Sequence, residues 1–351
     1  MQVIKQNYGS IDGQTISKFT LVNDQGMTIS FLDYGCTITE IIVPDRNGKF
    51  ENIVLGFDNL EAYQSYSFYF GSIIGRVAGR IKGASFELDG NIYTLAKNES
   101  RNCLHSGTEG LHQVKWRGEI VNKGNDVGVK FSYLSPDGEG GFPGNLCLHV
   151  TYTLNQLNEF TILYEGVSDK RTLINLTNHT YFNLSGKLNT SVGEHWLKMA
   201  SDQFVELDNE MLPTGRLLEV KGTPFDFRNW RKLKDGMNSN HQQNKLAGWG
   251  YDHPFLLNRE KEIMLFEGES GRTLKITTTE PAVVLYTGNM LEGDFLISGN
   301  VKVHKYLGLC LETQALPDAV HHSHFPSITF EQGEKYQSQT MYYFGIEEGP
   351  G

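Results

Sequence analysis

A two-residue alternation of apolar and polar side chains, returning along much of this chain, constrains its fold more than any other feature. Leu146, Leu148, Val150, Tyr152 and Leu154 fall on every second position, as do Val127, Val129, Phe131 and Tyr133, then Met27, Ile29 and Phe31. Leu307, Leu309 and Leu311 repeat the pattern late in the chain. That period sends successive side chains to opposite faces of a strand, so one face of each segment is built for burial. Asp89-Gly90 between FEL and NIYTL is a strong hairpin signal, and SPDGEGGFPG (135–144) reads as a turn-rich connection between two alternating runs. Helical patterning is confined to two short stretches, 58–66 with Asp58 or Asn59 as cap, and 229–237 ended by Gly236. Strands at regular spacing with turns between them predict an all-β fold, a large antiparallel β-sandwich. No repeat, low-complexity tract or Pro/Ser linker divides residues 1–351, so the chain reads as a single domain.

Composition narrows the function. A net charge of −10 argues against nucleic acid and anionic lipid as partners, since both need clustered Lys and Arg. No run of 18 apolar residues offers a membrane span, and MQVIKQNYGSIDGQ lacks the apolar core of a signal peptide, which points to the cytoplasm. Cys36, Cys103, Cys147 and Cys310 lie far apart without a CxxC pair and read as free thiols. The triplets at Asn175 and Asn189 fit the glycan pattern by chance in a chain without a secretory signal. GEGGFPG (138–144) looks superficially like a phosphate loop, but Pro143 stops the helix such a loop must open, and no Lys-Ser/Thr follows. His321, His322 and His324 in HHSHF have no zinc-site spacing and read as a solvated loop, so no metal is expected.

Five other segments carry groups capable of chemistry. In NLTNHTYFNL (175–184), an extended strand would place His179, Tyr181 and Asn183 on one face, and Phe182 and Leu184 on the other. In LGLCLETQ (307–314), Cys310, Glu312 and Gln314 share the face opposite the leucines. A Glu ending such an apolar run is expected to be partly buried, with its pKa raised unless a cation or donor stands near. GRVAGRI (75–81) supplies Arg76 and Arg80, LHSG (104–107) supplies His105, and GWGYDHPF (248–255) groups aromatics with Asp252 and His253. Aromatic faces beside a carboxylate suit a sugar ring. Each also has a purely structural reading: an edge strand with a satisfied histidine, a Glu paired with an Arg, surface arginines, a loop histidine, or a core aromatic cluster.

Taken together and in this order, these segments resemble the aldose 1-epimerase family, the galactose mutarotases. The resemblance runs from YGCTITEIIVPDRNGKFENIVLGF (34–57) through GRVAGRI, LHSG, SPDGEGGFPG, NHTYFNL, GYDHPF, YTGN (286–289) and LETQ to LPDA (316–319) and FP (325–326). It implies a galactose mutarotase-like supersandwich with an open cleft, acting on free hexoses such as galactose and glucose. By resemblance, Glu312 is the catalytic base, His179 the general acid and His105 a second histidine at the ring. Arg80 and Asp252 bind substrate hydroxyls, with Gln314 beside Glu312 joining the binding set. The protein would be a monomer or homodimer. Gly79 stands where members often have Asn, Ser106 interrupts the usual LHGG, and Val284 replaces a Gln found in some members; Gly79 and Val284 leave hexose preference open.

The expected chemistry takes a proton from the C1 hydroxyl with an ionised Glu and delivers one to the ring oxygen from a protonated His. The ring opens, C1 rotates and the ring recloses, with no cofactor. Three rival readings are a glycoside hydrolase using Glu312 and Asp252, a hexose-phosphate epimerase with an added cationic site, and a sugar-binding protein without catalysis.

Overall fold

The computed structural model describes residues 1–66, 68–124 and 126–349. Its three large sheets are antiparallel throughout. A five-stranded meander occupies Gln2–Asn52. A nine-stranded sheet runs in the order 117–123, 126–135, 146–154, 159–168, 335–346, 272–278, 262–266, 196–199, 231–232. The last long strand, Lys335–Ile346, lies between Glu159–Ser168 and Arg272–Thr278, so the end of the chain joins its two halves.

The alternating runs do what their period requires. Leu146, Leu148, Val150, Tyr152 and Leu154 are all fully buried, each worth roughly 1.5–3 kcal/mol relative to exposure. Edge-to-face rings join the meander to the nine-stranded sheet, with Phe31 at 5.6 Å from Phe131 and 4.9 Å from Tyr152. Arg272 is a polar stitch across the same region. Its buried guanidinium donates to the carbonyls of Pro44, Leu184 and Lys49 and to Glu51 at 2.9 Å.

A six-stranded sheet positions the site: 181–182, 309–314, 282–286, 252–256, 203–207, 213–219. Its back face, with Phe182, Phe255, Val283, Leu285, Leu309 and Leu311, shares one core with Ile263, Leu274, Ile276 and Tyr342 of the large sheet. That packing leaves the front face for other work.

Local expectations fared unevenly. Asp89 (φ 53°) and Gly90 (φ 75°) make the two-residue turn between Ser85–Leu88 and Asn91–Thr94. Leu60–Ser65 is helical, and Asn59 caps it by accepting from the Ala62 N–H at 2.9 Å. The 229–237 helix is shorter than expected: Arg231–Lys232 pairs as strand, the helix is Lys234–Met237, and Gly236 lies inside it rather than ending it. There Gly236 is needed for space, because a Cβ would sit 2.2 Å from the Tyr251 ring. The histidine tract is more tied down than a solvated loop. His321 faces Asp318 at 2.6 Å, while His322 and His324 meet the carbonyls of Pro213 and Gly215. Asp318 is an acidic partner that the tract itself does not contain. All four cysteines are free, and only Cys147 is exposed.

Candidate active site

Strand register gathers the site on the front of the six-stranded sheet. Asp252 pairs with Tyr286, which pairs with Cys310, which pairs with Tyr181; one step along, Pro254 pairs with Val284 and Val284 with Glu312. Positions two apart on one strand share a face, so Asp252, Tyr286, Val284, Cys310, Glu312, Gln314 and Tyr181 all point the same way. Six of them, with Arg80 from the short strand Arg80–Ile81 and His105 and His179 from neighbouring loops, line a cavity of about 250 Å³; Cys310 lies beneath it. All six site residues expected from the sequence are therefore brought together.

One expectation about orientation fails. His179 and Tyr181 reach the cavity, but the strand there is only Tyr181–Phe182, and Asn183 turns away to donate to the carbonyls of Thr190 and Leu307. A short strand between two bends does not sustain its alternation.

His179 Nε2 stands 3.7 Å from Glu312 Oε1, both side chains almost wholly buried. Burial raises the Glu312 carboxyl well above the carboxylate range; the Asp252 charge adds to this and Arg80 opposes it. Burial likewise lowers His179 to about 3 and His105 well below the ordinary imidazole value. Desolvation thus penalises both charges at once and favours an uncharged Glu312–His179 pair, where the sequence alone suggested an ionised Glu beside a protonated His.

His105 is held by the chain that carries Arg80. Its Nδ1 accepts the Gly79 N–H at 3.1 Å, and its backbone N–H donates to the Gly79 carbonyl at 3.0 Å. Gly79 has φ 79°, and a Cβ there would lie 2.8 Å from Pro317 Cβ, so a side chain at this position would crowd Pro317. The Ser106 departure also has a role: its hydroxyl accepts the Val77 N–H at 2.8 Å and donates to the Val77 carbonyl at 3.1 Å.

Arg80 is fixed by a residue that sequence reasoning missed. Glu99 accepts from its Nε and Nη2 at 2.6 and 2.7 Å, a two-pronged grip, while Asp252 lies 3.7 Å from Nη1. Burial works against the arginine's charge, but Asp252 and Glu99 outweigh it and hold the guanidinium above its ordinary range. Tyr69 was missed too. It takes φ 58° and sets its ring 4.7 Å from His105, 4.9 Å from His112 and 5.7 Å from His179, and burial pushes its phenol up to about 12. Its positive φ left no mark in the sequence. His253 is structural: its Nδ1 accepts the Asp252 N–H, and its Nε2 faces Gln243 Oε1 at 3.1 Å.

Ligating atoms of His105, His179 and Glu312 lie within 4.8 Å of one another, a spacing a divalent metal could draw together. The tautomers argue otherwise. A metal-bound histidine gives its second N–H to an acceptor. His105 Nδ1 instead receives an N–H, which puts the proton of the neutral ring on Nε2, where a metal would need a lone pair. The donor set suits sugar oxygens better than a cation.

The wider likeness matches this geometry. The aldose 1-epimerase family model covers residues 17–343. The chain is 39% identical over 336 residues to the galactose mutarotase of Bos taurus, covering 95% of each chain. It is 36% identical over 343 residues to the aldose 1-epimerase of Escherichia coli K12, covering 96% of this chain and 97% of that one. A crystal structure of galactose 1-epimerase from Lactobacillus acidophilus superposes with a TM-score of 0.88 at 32% identity, covering 98% of this chain and 99% of that one. Fold, site and likeness over nearly the whole length agree: the chain belongs to the aldose 1-epimerase family.

Proposed function

We propose that this protein is a mutarotase that interconverts the α and β anomers of free hexoses such as galactose and glucose. The observation that carries the reading is the Glu312–His179 pair, an acid–base couple at 3.7 Å lining the cavity. A sugar placed with O1 at Glu312 and its ring oxygen at His179 gives each proton a short path. With the sugar bound and the shared proton moved from Glu312 to His179, the ionised Glu312 takes the C1 hydroxyl proton as the His179 imidazolium protonates the ring oxygen, the ring opens, C1 rotates, and the reverse transfers close it. A single shared proton serves both directions, and positioned groups of this kind typically contribute ~10²–10⁴-fold each. His105 offers an Nε2–H beside the ring, Arg80 and Asp252 hold the remaining hydroxyls, and Gln314 lines the same wall. Proton exchange between oxygen atoms requires no cofactor.

A hexose-phosphate substrate is disfavoured by the same geometry. Among the described residues lining the pocket, Arg80 is the sole Lys or Arg, and Glu99 and Asp252 already hold it. No helix of the described residues is long and apolar enough to cross a membrane. We read the protein as cytoplasmic, folded as one domain, and a monomer or homodimer. Polarimetry of freshly dissolved α-D-galactose and α-D-glucose tests the reading. Faster approach to equilibrium rotation with protein present is expected; rates equal to the buffer control for both sugars would sink it.

A further inference from the structure

The strand that carries Arg80 is two residues long and belongs to a two-stranded sheet, with Arg80 opposite Leu104 and Ile81 opposite Cys103. A single residue occupies its other edge. Asp318 donates its backbone N–H to the Arg80 carbonyl at 3.0 Å, and its carboxylate Oδ1 accepts the Lys82 N–H at 3.0 Å. One side chain thus supplies the second rung that a neighbouring strand would give. Asp318 is buried and stands at φ 56°, a left-handed position that Asp, Asn and Gly tolerate better than other residues. His321 steadies the carboxylate, with Nδ1 2.6 Å from Oδ1, and His322 Nε2 lies 3.7 Å from Oδ2. The same segment reaches another wall of the cavity. His322 and His324 donate from Nε2 to the carbonyls of Pro213 and Gly215, just past Met211, which lines the cavity as Pro317 does.

We propose that Asp318 is a positioning residue for Arg80, its carboxylate bracing the backbone from Arg80 to Lys82 so that the guanidinium meets the sugar in a fixed place, with His321, His322 and His324 anchoring the brace. Glu99 grips Nε and Nη2 and so sets the far end of the Arg80 side chain. The near end follows the main chain, and a two-residue strand in a two-stranded sheet has little stability of its own. A shift there would carry Nη1 away from Asp252 Oδ2, which lies 3.7 Å from it. That gap suits one sugar hydroxyl, giving its proton to the carboxylate while accepting from the guanidinium. Glu312 sits inside the ladder between strands 309–314 and 282–286, paired with Val284, so the brace acts on binding and leaves the acid–base pair in place.

The kinetic arm of the test rests on the mutarotase reading; a spectroscopic arm does not. Asp318→Gly removes the carboxylate without a penalty at the left-handed φ, and Asp318→Asn keeps an oxygen for the Lys82 N–H. In sugar-free ¹⁵N-labelled protein, the Arg80 Nε–H signal, identified by its loss in Arg80→Lys, is expected to exchange with water about fivefold faster in Asp318→Gly and within about twofold of the wild-type rate in Asp318→Asn. In mutarotation of galactose, Asp318→Gly should raise KM about fivefold, the scale of one hydrogen bond, with kcat within about twofold, and Asp318→Asn should stay within about twofold of the wild type in both. An unchanged KM and exchange rate in Asp318→Gly would overturn the proposal, as would a fall in kcat at constant KM. An Asn variant with KM raised about fivefold or more would overturn it even if the Gly variant does not fold. If the Arg80 signal responds as expected but the wild type has no activity, the mutarotase reading fails rather than the brace.

Discussion

Replacing Glu312 by Gln should separate activity from stability in a way that the burial of this carboxyl dictates. Gln keeps the shape and removes the base, so mutarotation should fall by about 10²–10⁴-fold. Stability should move the other way. The unfolded chain ionises Glu312 near the ordinary glutamate value of 4.5, whereas burial and Asp252 raise the folded value well above that. Between those two values the folded state binds more protons than the unfolded one, so wild-type stability declines with rising pH by up to about 1.4 kcal/mol per unit. The contribution is fully present below pH 4.5 and is lost as pH rises through the folded value. Gln has no such proton. The variant should therefore gain on the wild type as pH rises from 5 to 8, by at most that slope, and the difference should level off once the folded value is passed. Urea unfolding of both proteins at several pH values, beside polarimetry, measures the two effects. A variant keeping more than about a tenth of wild-type activity would refute the base assignment, and a stability difference independent of pH would refute the raised pKa.

His179→Asn should cost orders of magnitude in kcat and His105→Asn distinctly less; equal, negligible losses by polarimetry would move the acid elsewhere. Glu99→Ala should release the Arg80 fork and raise KM about tenfold, roughly 1.4 kcal/mol of binding, with kcat within about twofold; an unchanged KM would mean Arg80 needs no such grip. Arg272→Ala leaves three carbonyls and Glu51 without their buried donor and should destabilise by roughly 3–5 kcal/mol in urea unfolding, while folded protein keeps its specific activity. In D₂O the anomers should equilibrate without deuterium at C1 or C2, because protons move between oxygens; carbon-bound deuterium appearing at the rate of anomer exchange, read by NMR or mass spectrometry, would show enediol chemistry instead.

The part of this protein legible from sequence is the part set by local geometry. A period of two assigns faces residue by residue, so the separation of Leu309 and Leu311 from Glu312 and Gln314, and the all-β class itself, follow from the chain alone. The Asp89-Gly90 turn is equally local. Where bends cut a strand to two residues, as at Tyr181–Phe182, the alternation stops, and Asn183 could not be placed from its spacing. The 229–237 segment failed for a related reason: Arg231 and Lys232 are claimed by a strand partner far along the chain, and Gly236 by the Tyr251 ring. The family's motifs named Glu312, His179, His105, Arg80 and Asp252, but only the folded chain decided that Glu99 grips Arg80, that Tyr69 stands among the histidines, and that Cys310 sits behind His179. Above all, the resting place of the proton belongs to the tertiary structure. The ordinary values of Glu and His suggest an ion pair, while removing both from water favours the neutral one. Solvation is a property of the packed site, and no run of residues states it.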